Sequence, residues 1–287
     1  MSDIVLGTAT RQNLLALQNI NTDLGTTQNH LATGLAVSSA LDDAVKFFQS
    51  QSLNERASDL ALRKDSIDQG ISSLTAASNA TSSAVTVLQQ LQGILNSAKT
   101  ETASQRASST KQFNTLAQQL DTLLNDASYQ GLNLVNSSKS SLTLQFSNST
   151  ASKLTINGQN LLYSVIVTAG KVSKVSNAAK NLITVGFSGV SNNTSKFDTA
   201  FQALQNSISK VQAAAQSIGG NVTFLQTRLD FTSQYSTTLQ GGSDKLTVAD
   251  VNVESTNLVT LQTRQQLAIQ SLSIATQSEQ NVLRLFH

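Results

Sequence analysis

Few residues in this chain could do chemistry. Among 287 residues there are two histidines, His30 and His287, and no cysteine. Neither histidine has a second ligand at metal-binding spacing, so no metal site is expected. Without cysteine there is no thiolate ligand, no disulfide and no thiol nucleophile. Phosphate-binding glycine loops, dinucleotide fingerprints, nucleophile elbows and H-E-x-x-H signatures do not occur. The stretch "LDDAV" pairs Asp42 with Asp43. Acid–base work would need one of them raised in pKa within a cleft. The simpler and favoured reading is a helix start, where acids cap free N–H groups and suit the helix dipole. Arg11, in an otherwise apolar N-terminal helix, leaves two readings open: a solvated position, or a hydrogen bond to another subunit. No catalysis, metal or cofactor is expected.

The elements that carry these residues are long and weakly charged. Charged residues make up 13% and apolar residues 39%, with no Pro, no Trp and a single Met. Typical soluble domains are roughly 25% charged. A chain so poor in charge and aromatics hides its apolar side chains in narrow stripes. Each interior Pro would cost a helix about 3 kcal/mol, so its absence permits very long helices. A net charge of +2 with scattered Lys and Arg argues against nucleic acid. The start "MSDIVLGTATRQNLL" is not expected to act as a cleaved secretory signal. Apolar runs such as "LLYSVIVTAG" fall short of the ~18 residues of a membrane span.

Heptad spacing dominates the chain. From Phe197, alternate steps reach Phe201, Leu204, Ile208, Val211, Ala215, Ile218, Val222, Leu225, Leu229, Thr232, Ser236 and Leu239. Such a helix is roughly 65 Å long. Gly219–Gly220 is a weak point without a stop. A matching seam holds Leu53, Ala57, Leu60, Ile67, Ile71, Leu74, Thr81, Val85, Leu88 and Leu95, and a third helix carries Phe113, Leu116, Leu120 and Leu124. Helices are therefore expected over about 44–97, 104–128 and 197–240. "SLTLQFSNSTASKLTING" alternates like two short strands, and "NLLYSVIVTAG" suggests another, giving a β-hairpin region of about 140–168. Residues 169–196 read as a short exposed surface segment.

The two ends form a pair. Leu14, Leu17, Leu24 and Leu31 make a stripe that stops at Gly34. Val251, Leu258, Leu261, Ala268, Leu272, Ala275 and Val282 make another, after a break at Gly241–Gly242 and a capping box of Thr247 with Asp250. The expected fold is mainly α: a coiled-coil-like rod of residues 42–245, and an inner domain pairing 1–41 with 246–287. The terminal helices carry further apolar residues off these stripes: Ile4, Val5, Leu6, Leu15 and Ile20, then Leu267, Ile269 and Ile274, and finally Leu285 and Phe286 in "NVLRLFH". A helix apolar on several faces expects several neighbours. Polymerisation is therefore expected. A cytoplasmic coiled-coil scaffold would carry charged residues beside its seam, and here those positions are Gln, Ser and Thr.

With these pieces placed, the sequence resembles a bacterial flagellin. "LLALQNINTDLGTTQNHLATGLAVSSALDDAV" is similar to that family's first helix, turn and second helix start, with Leu31, Gly34, Ser39, Ala40, Asp42 and Asp43 matching and His30 in place of the usual Arg. "DASYQGLNLV" resembles the segment leading into the hairpin, and "LVTLQTRQQLAIQSLSIATQSEQNVLRLF" the alphaproteobacterial ending. The resemblance implies a self-assembling, extracellular filament subunit without a large outer domain. Its near relative, the hook–filament junction protein, is the alternative within the family. It also implies flagellar type III export, an export chaperone, a filament cap, hook-junction proteins and companion flagellins as partners. Some flagellins are recognised by Toll-like receptor 5 through the stretch matching residues 88–98, including Gln89, Gln90, Leu91 and Gly93. Receptor-active members carry Arg at the position of Gln90 and Glu at that of Gly93, so weak or no recognition is implied.

Overall fold

A computed structural model describes residues 8–147, 151–162 and 194–285. The fold is mainly helical, with two small antiparallel hairpins. The elements are α1 (Thr8–Thr33), α2 (Ala44–Ala98), α3 (Ala103–Asp126), β1 (Ser128–Tyr129), β2 (Leu132–Asn133), β3 (Ser141–Gln145), β4 (Lys153–Asn157), α4 (Thr194–Thr247) and α5 (Val251–Leu285). Contacts divide the chain into two compact units: Met1–Ser58 with Ser236–His287, and Asp59–Tyr235.

Local chemistry sets the helix ends. Gly34 ends α1 at φ +72°, its N–H bonded to the His30 carbonyl at 2.8 Å. That conformation suits glycine because it has no Cβ to clash. Thr102 and Gln105 form a reciprocal capping box on α3. Asp250 caps α5 by accepting from the N–H groups of Asn252 and Val253. The capping box expected from Thr247 and Asp250 does not form, because Thr247 is the last residue of α4 and its hydroxyl bonds back to Ser243 O.

The break expected at Gly241–Gly242 is also absent. Both glycines lie inside α4, which runs on to Thr247. Two interior glycines cost about 2 kcal/mol in propensity, and packing of α4 on α2 offsets this. Ser50 and Ser243 share a buried hydrogen bond at 2.8 Å, and Leu53 lies within ordinary contact distance of Gly242.

In the second unit, α2, α3 and α4 enclose a continuous core. Its fully buried side chains include Ile67, Leu74, Leu88, Leu91, Leu95, Phe113, Leu120, Leu124, Leu204 and Leu225. Two polar lapses in the stripes are satisfied within their own helices, Thr232 Oγ1 donating to Arg228 O and Thr81 Oγ1 to Ser78 O, while Ser236 Oγ donates across to Ala57 O. The β3–β4 hairpin closes one side with Leu144, Phe146 and Ile156. Gly70 admits it, since a Cβ there would fall 2.5 Å from Leu144 Cδ1.

The hairpin is shorter than the expected 140–168. Its strands end at Asn157, Asn160 makes only an isolated bridge to Asn136, and positions from 163 lie outside the described residues. Most of the 169–196 surface segment lies outside them too, and its last part already belongs to α4, which starts at Thr194. The β1–β2 hairpin was not expected. It turns through Gln130 and Gly131, both at positive φ. Asn133 then donates to the carbonyls of Leu124 and Asn125 and accepts from the N–H groups of Val135 and Asn136. One side chain thus caps the end of α3 and shapes the next turn.

Candidate assembly interface

The terminal unit is built around the antiparallel pair of α1 and α5. Side-chain bonds that cross it include Asn13 to Ser271 at 3.5 Å, Gln265 to Asn21 at 2.7 Å, and His30 Nδ1 with Glu254 Oε1 at 2.9 Å. Between them runs a single heptad seam. On α1 it is Asn13, Leu17, Ile20, Leu24, Thr27 and Leu31; on α5 it is Glu254, Leu258, Leu261, Gln265, Ala268, Leu272 and Ala275. Apart from the buried Thr27, these side chains are half-buried rather than enclosed. His30 sits in the last turn of α1 and Glu254 in the first turn of α5, where the helix dipole favours the Glu254 carboxylate.

Where the chain turns out of α1, backbone pairing fixes it to the α4–α5 junction. Ala36 and Val37 donate to Thr247 O, Ala249 donates to Gly34 O, and Leu35 bridges Val248. Asp42 organises the next turn, its Oδ2 accepting from both N–H and both hydroxyl groups of Ser38 and Ser39. The Ser38 N–H is the chief cause holding the Asp42 carboxyl below its ordinary 3.8. Asp43 caps α2 through the Lys46 N–H, which lowers it likewise. Both carboxylates are hydrogen-bonded and held ionised, which is the helix-start reading and the opposite of a general acid's environment.

The expected assembly residues fall into three groups. Leu17, Leu24 and Leu31 come together with Leu258, Leu261 and Leu272 along the seam. Leu14 sits one position off it, 39% exposed, and Asn13 takes the seam position; Arg11 is exposed. Leu6 and Phe286 lie outside the described residues, as do the side chains of Val282 and Leu285. The rod-seam residues Ile67, Leu74, Leu88, Ile208, Ile218 and Leu225 are buried, and Leu53, Leu60 and Phe201 half-buried. The receptor-like stretch needs a correction. Leu91 is wholly enclosed in the core, leaving Gln89, Gln90 and Gly93 on the surface. A side chain in the α2 core seam faces α3 and α4, not a partner.

The two units differ sharply in closure. Every large side chain that is fully buried among the described residues belongs to Asp59–Tyr235. The exposed large apolar side chains, other than Leu62, Phe224 and Phe231, all belong to the terminal unit. They include Leu15, Leu41, Val45, Phe48, Val259, Leu267, Ile269 and Ile274. At about 100° per residue, Leu267 is turned about 180° from Leu258 and Ile274 about 200° from Leu272, both away from the seam. Ile269 is turned about 60° from Leu272, onto a flank. Seam, flank and back of α5 thus all carry large apolar groups, and α1 covers only the first. Leu41 just before α2, and Val45 and Phe48 in its first turns, at steps of four and three, were missed in the sequence because they stand outside both terminal stripes.

Among the described residues there is no group of three or more His, Asp or Glu that could hold a metal, and no helix long and apolar enough to cross a membrane. A paired-helix end with uncovered apolar faces, attached to a closed helical core, defines a structural subunit made for assembly. Residues 6–140 match the pattern of the bacterial flagellin N-terminal helical region. Flagellin FljN of Caulobacter vibrioides is 30% identical over 284 residues, covering 95% of each chain, and flagellin FljK of the same organism is 29% identical over the same span. The structure of a flagellar hook-associated protein from Vibrio parahaemolyticus superposes with a TM-score of 0.58 at 14% identity, over 72% of this chain and 100% of that one, which speaks for the fold alone. The chain belongs to the bacterial flagellin family.

Proposed function

We infer that this chain is a structural subunit of the bacterial flagellar filament, polymerising outside the cell to form the shaft used in swimming. The observation that carries this is the open terminal unit: α1 and α5 cover each other along one seam and leave the flank and back of α5 to be covered by other copies. Its role is mechanical, with no bond made or broken. Monomers remain soluble because Gln, Ser, Thr and Asn are interleaved with the exposed apolar groups, and they associate where many copies bury those groups together. Family membership supports the finer reading: export through the flagellar type III apparatus, a chaperone holding the terminal region during transit, and addition beneath a filament cap beyond the hook-junction proteins. Toll-like receptor 5 activation is weak or absent, because Leu91 is enclosed and Gln90 and Gly93 bring no charge.

The test is electron microscopy of material sheared from cells, with the chain identified by intact mass. The expected result is filaments whose bulk protein is this chain. Its presence as a thin layer at the filament base, or not at all, would overturn the reading.

A further inference from the structure

The second unit leaves few large apolar side chains uncovered. Its exposed large apolar side chains, among the described residues, are Leu62, Phe224 and Phe231. Phe224 and Phe231 are 49% and 52% exposed and stand a heptad apart on α4, on one face and about 10 Å from each other. Between them Arg228 holds its guanidinium 4.9 Å from the Phe146 ring and 5.1 Å from the Phe231 ring. Phe224 meets Phe146 edge-on at 6.2 Å, and Tyr235 stacks on Phe231 at 5.8 Å. The result is a preformed ridge of aromatic rings around a cation. The Arg228 Nε is buried and has no hydrogen-bond partner. Because that atom is enclosed, only the outer part of the half-buried guanidinium can meet a group from another chain.

A different surface of the same unit offers the complement. Between α2 and α3 lies an open groove with two hollows of about 570 and 400 Å³, both bordered by Gln119. The larger mixes the apolar Ala76, Ala80, Leu123 and Ala127 with four uncharged polar side chains, and the smaller carries Lys111. The rim of the larger carries Asp126, exposed and in no ion pair among the described residues. A hollow partly lined by apolar side chains, with a carboxylate at its edge and Lys111 only in the other hollow, suits rings flanking a guanidinium.

We propose that the Phe224–Arg228–Phe231 ridge of one copy seats in the α2/α3 groove of a second copy of this chain, with Asp126 of the groove facing Arg228. This rests on the filament reading and names a contact within it. Ridge and groove are separate surfaces, so the contact is heterologous. Each docked copy still presents a free ridge and a free groove, and the contact propagates instead of closing into a dimer.

Because the natural chain has no cysteine, thiols can be placed without background. Phe231→Cys and Ala80→Cys proteins, each grown into filaments mixed with the other, are treated with a short thiol–thiol cross-linker. The expected product is a dimer of one variant with the other, absent from filaments of either variant alone. A second measurement needs no cross-linker. Phe224→Ala/Phe231→Ala raises the critical concentration for polymerisation about tenfold or more, and Asp126→Asn raises it less, while monomer helicity stays unchanged. Filaments that form normally with no mixed cross-link, or whose critical concentration ignores both substitutions, would overturn the ridge-in-groove contact and leave the filament reading standing. Failure of the unmodified chain to polymerise would instead strike the filament reading itself.

Discussion

Replacing Leu267 and Ile274 with Gln tests the physical basis of assembly. These side chains are 61% and 62% exposed in the single chain, so most of their apolar surface is still available to be buried by another copy. Full burial of such a side chain is worth about 1.5–3 kcal/mol, and three-fifths of that is about 1–2 kcal/mol each. Together the two changes remove about 2–4 kcal/mol per subunit added, which raises the critical concentration about 30- to 1000-fold. The monomer hardly notices. Gln matches the rest of the helix surface, has good helix propensity, and changes folding by no more than about 0.5 kcal/mol. The assay pairs sedimentation of polymer across a concentration series with thermal melting of the monomer by circular dichroism. Polymerisation at the unmodified critical concentration would refute the reasoning. So would a fall in monomer stability as large as the loss of assembly, since that would mean the back of α5 is already covered within the chain.

Leu261→Asp places a charge in the α1/α5 seam, where Leu261 is half-buried; hydrogen exchange should speed up in α1 and α5 and abolish assembly, while amides of the 59–235 core stay protected. A double-mutant cycle of His30→Gln and Glu254→Gln, read as terminal-helix melting at low salt near pH 6, should show a coupling of about 1 kcal/mol that shrinks with added salt. Asp42 is held below its ordinary 3.8 by the Ser38 and Ser39 donors, so its contribution is complete above 3.8 and is lost as pH falls through the lower folded value; amide exchange of Ser38 and Ser39 should accelerate only in that acid range, and Asp42→Asn should flatten the response. Gly70→Ala forces Leu144 to move and should destabilise the 59–235 unit by about 1–3 kcal/mol in denaturant melts, without changing the terminal helices.

The long helices were legible because nothing interrupts them: there is no Pro, and the apolar steps hold register across dozens of residues. What stayed hidden was polar. An apolar pattern selects Leu14 over Asn13, yet it is Asn13 that bonds across to Ser271. The same filter passes over His30, Glu254, Asn21 and Gln265, whose partners lie more than two hundred positions away in the chain. Gly241–Gly242 reads as a break only when the neighbouring helix is ignored; the buried Ser50–Ser243 bond beside it holds α4 against α2 through this stretch. The β1–β2 turn rests on one Asn133 side chain and two positive-φ residues, a signal carried by "YQGLN" that two-residue strands are too short to reinforce. The uncovered α5 faces were legible in part, since Leu267, Ile269 and Ile274 stand off the seam. Leu41, Val45 and Phe48 were not, because only the three-dimensional path leaves them exposed.

Accessibility at the back of α5 tests the central claim most directly. A single thiol introduced by Ile274→Cys is the protein's only thiol, and its reaction with a maleimide can be followed in monomer and in polymer. Fast labelling of the monomer and strong protection in the filament are predicted, with the same filament keeping an exposed control such as Lys139→Cys reactive. Equal labelling in both states would contradict the account, because the terminal unit would then remain as open in the filament as it is in the single chain.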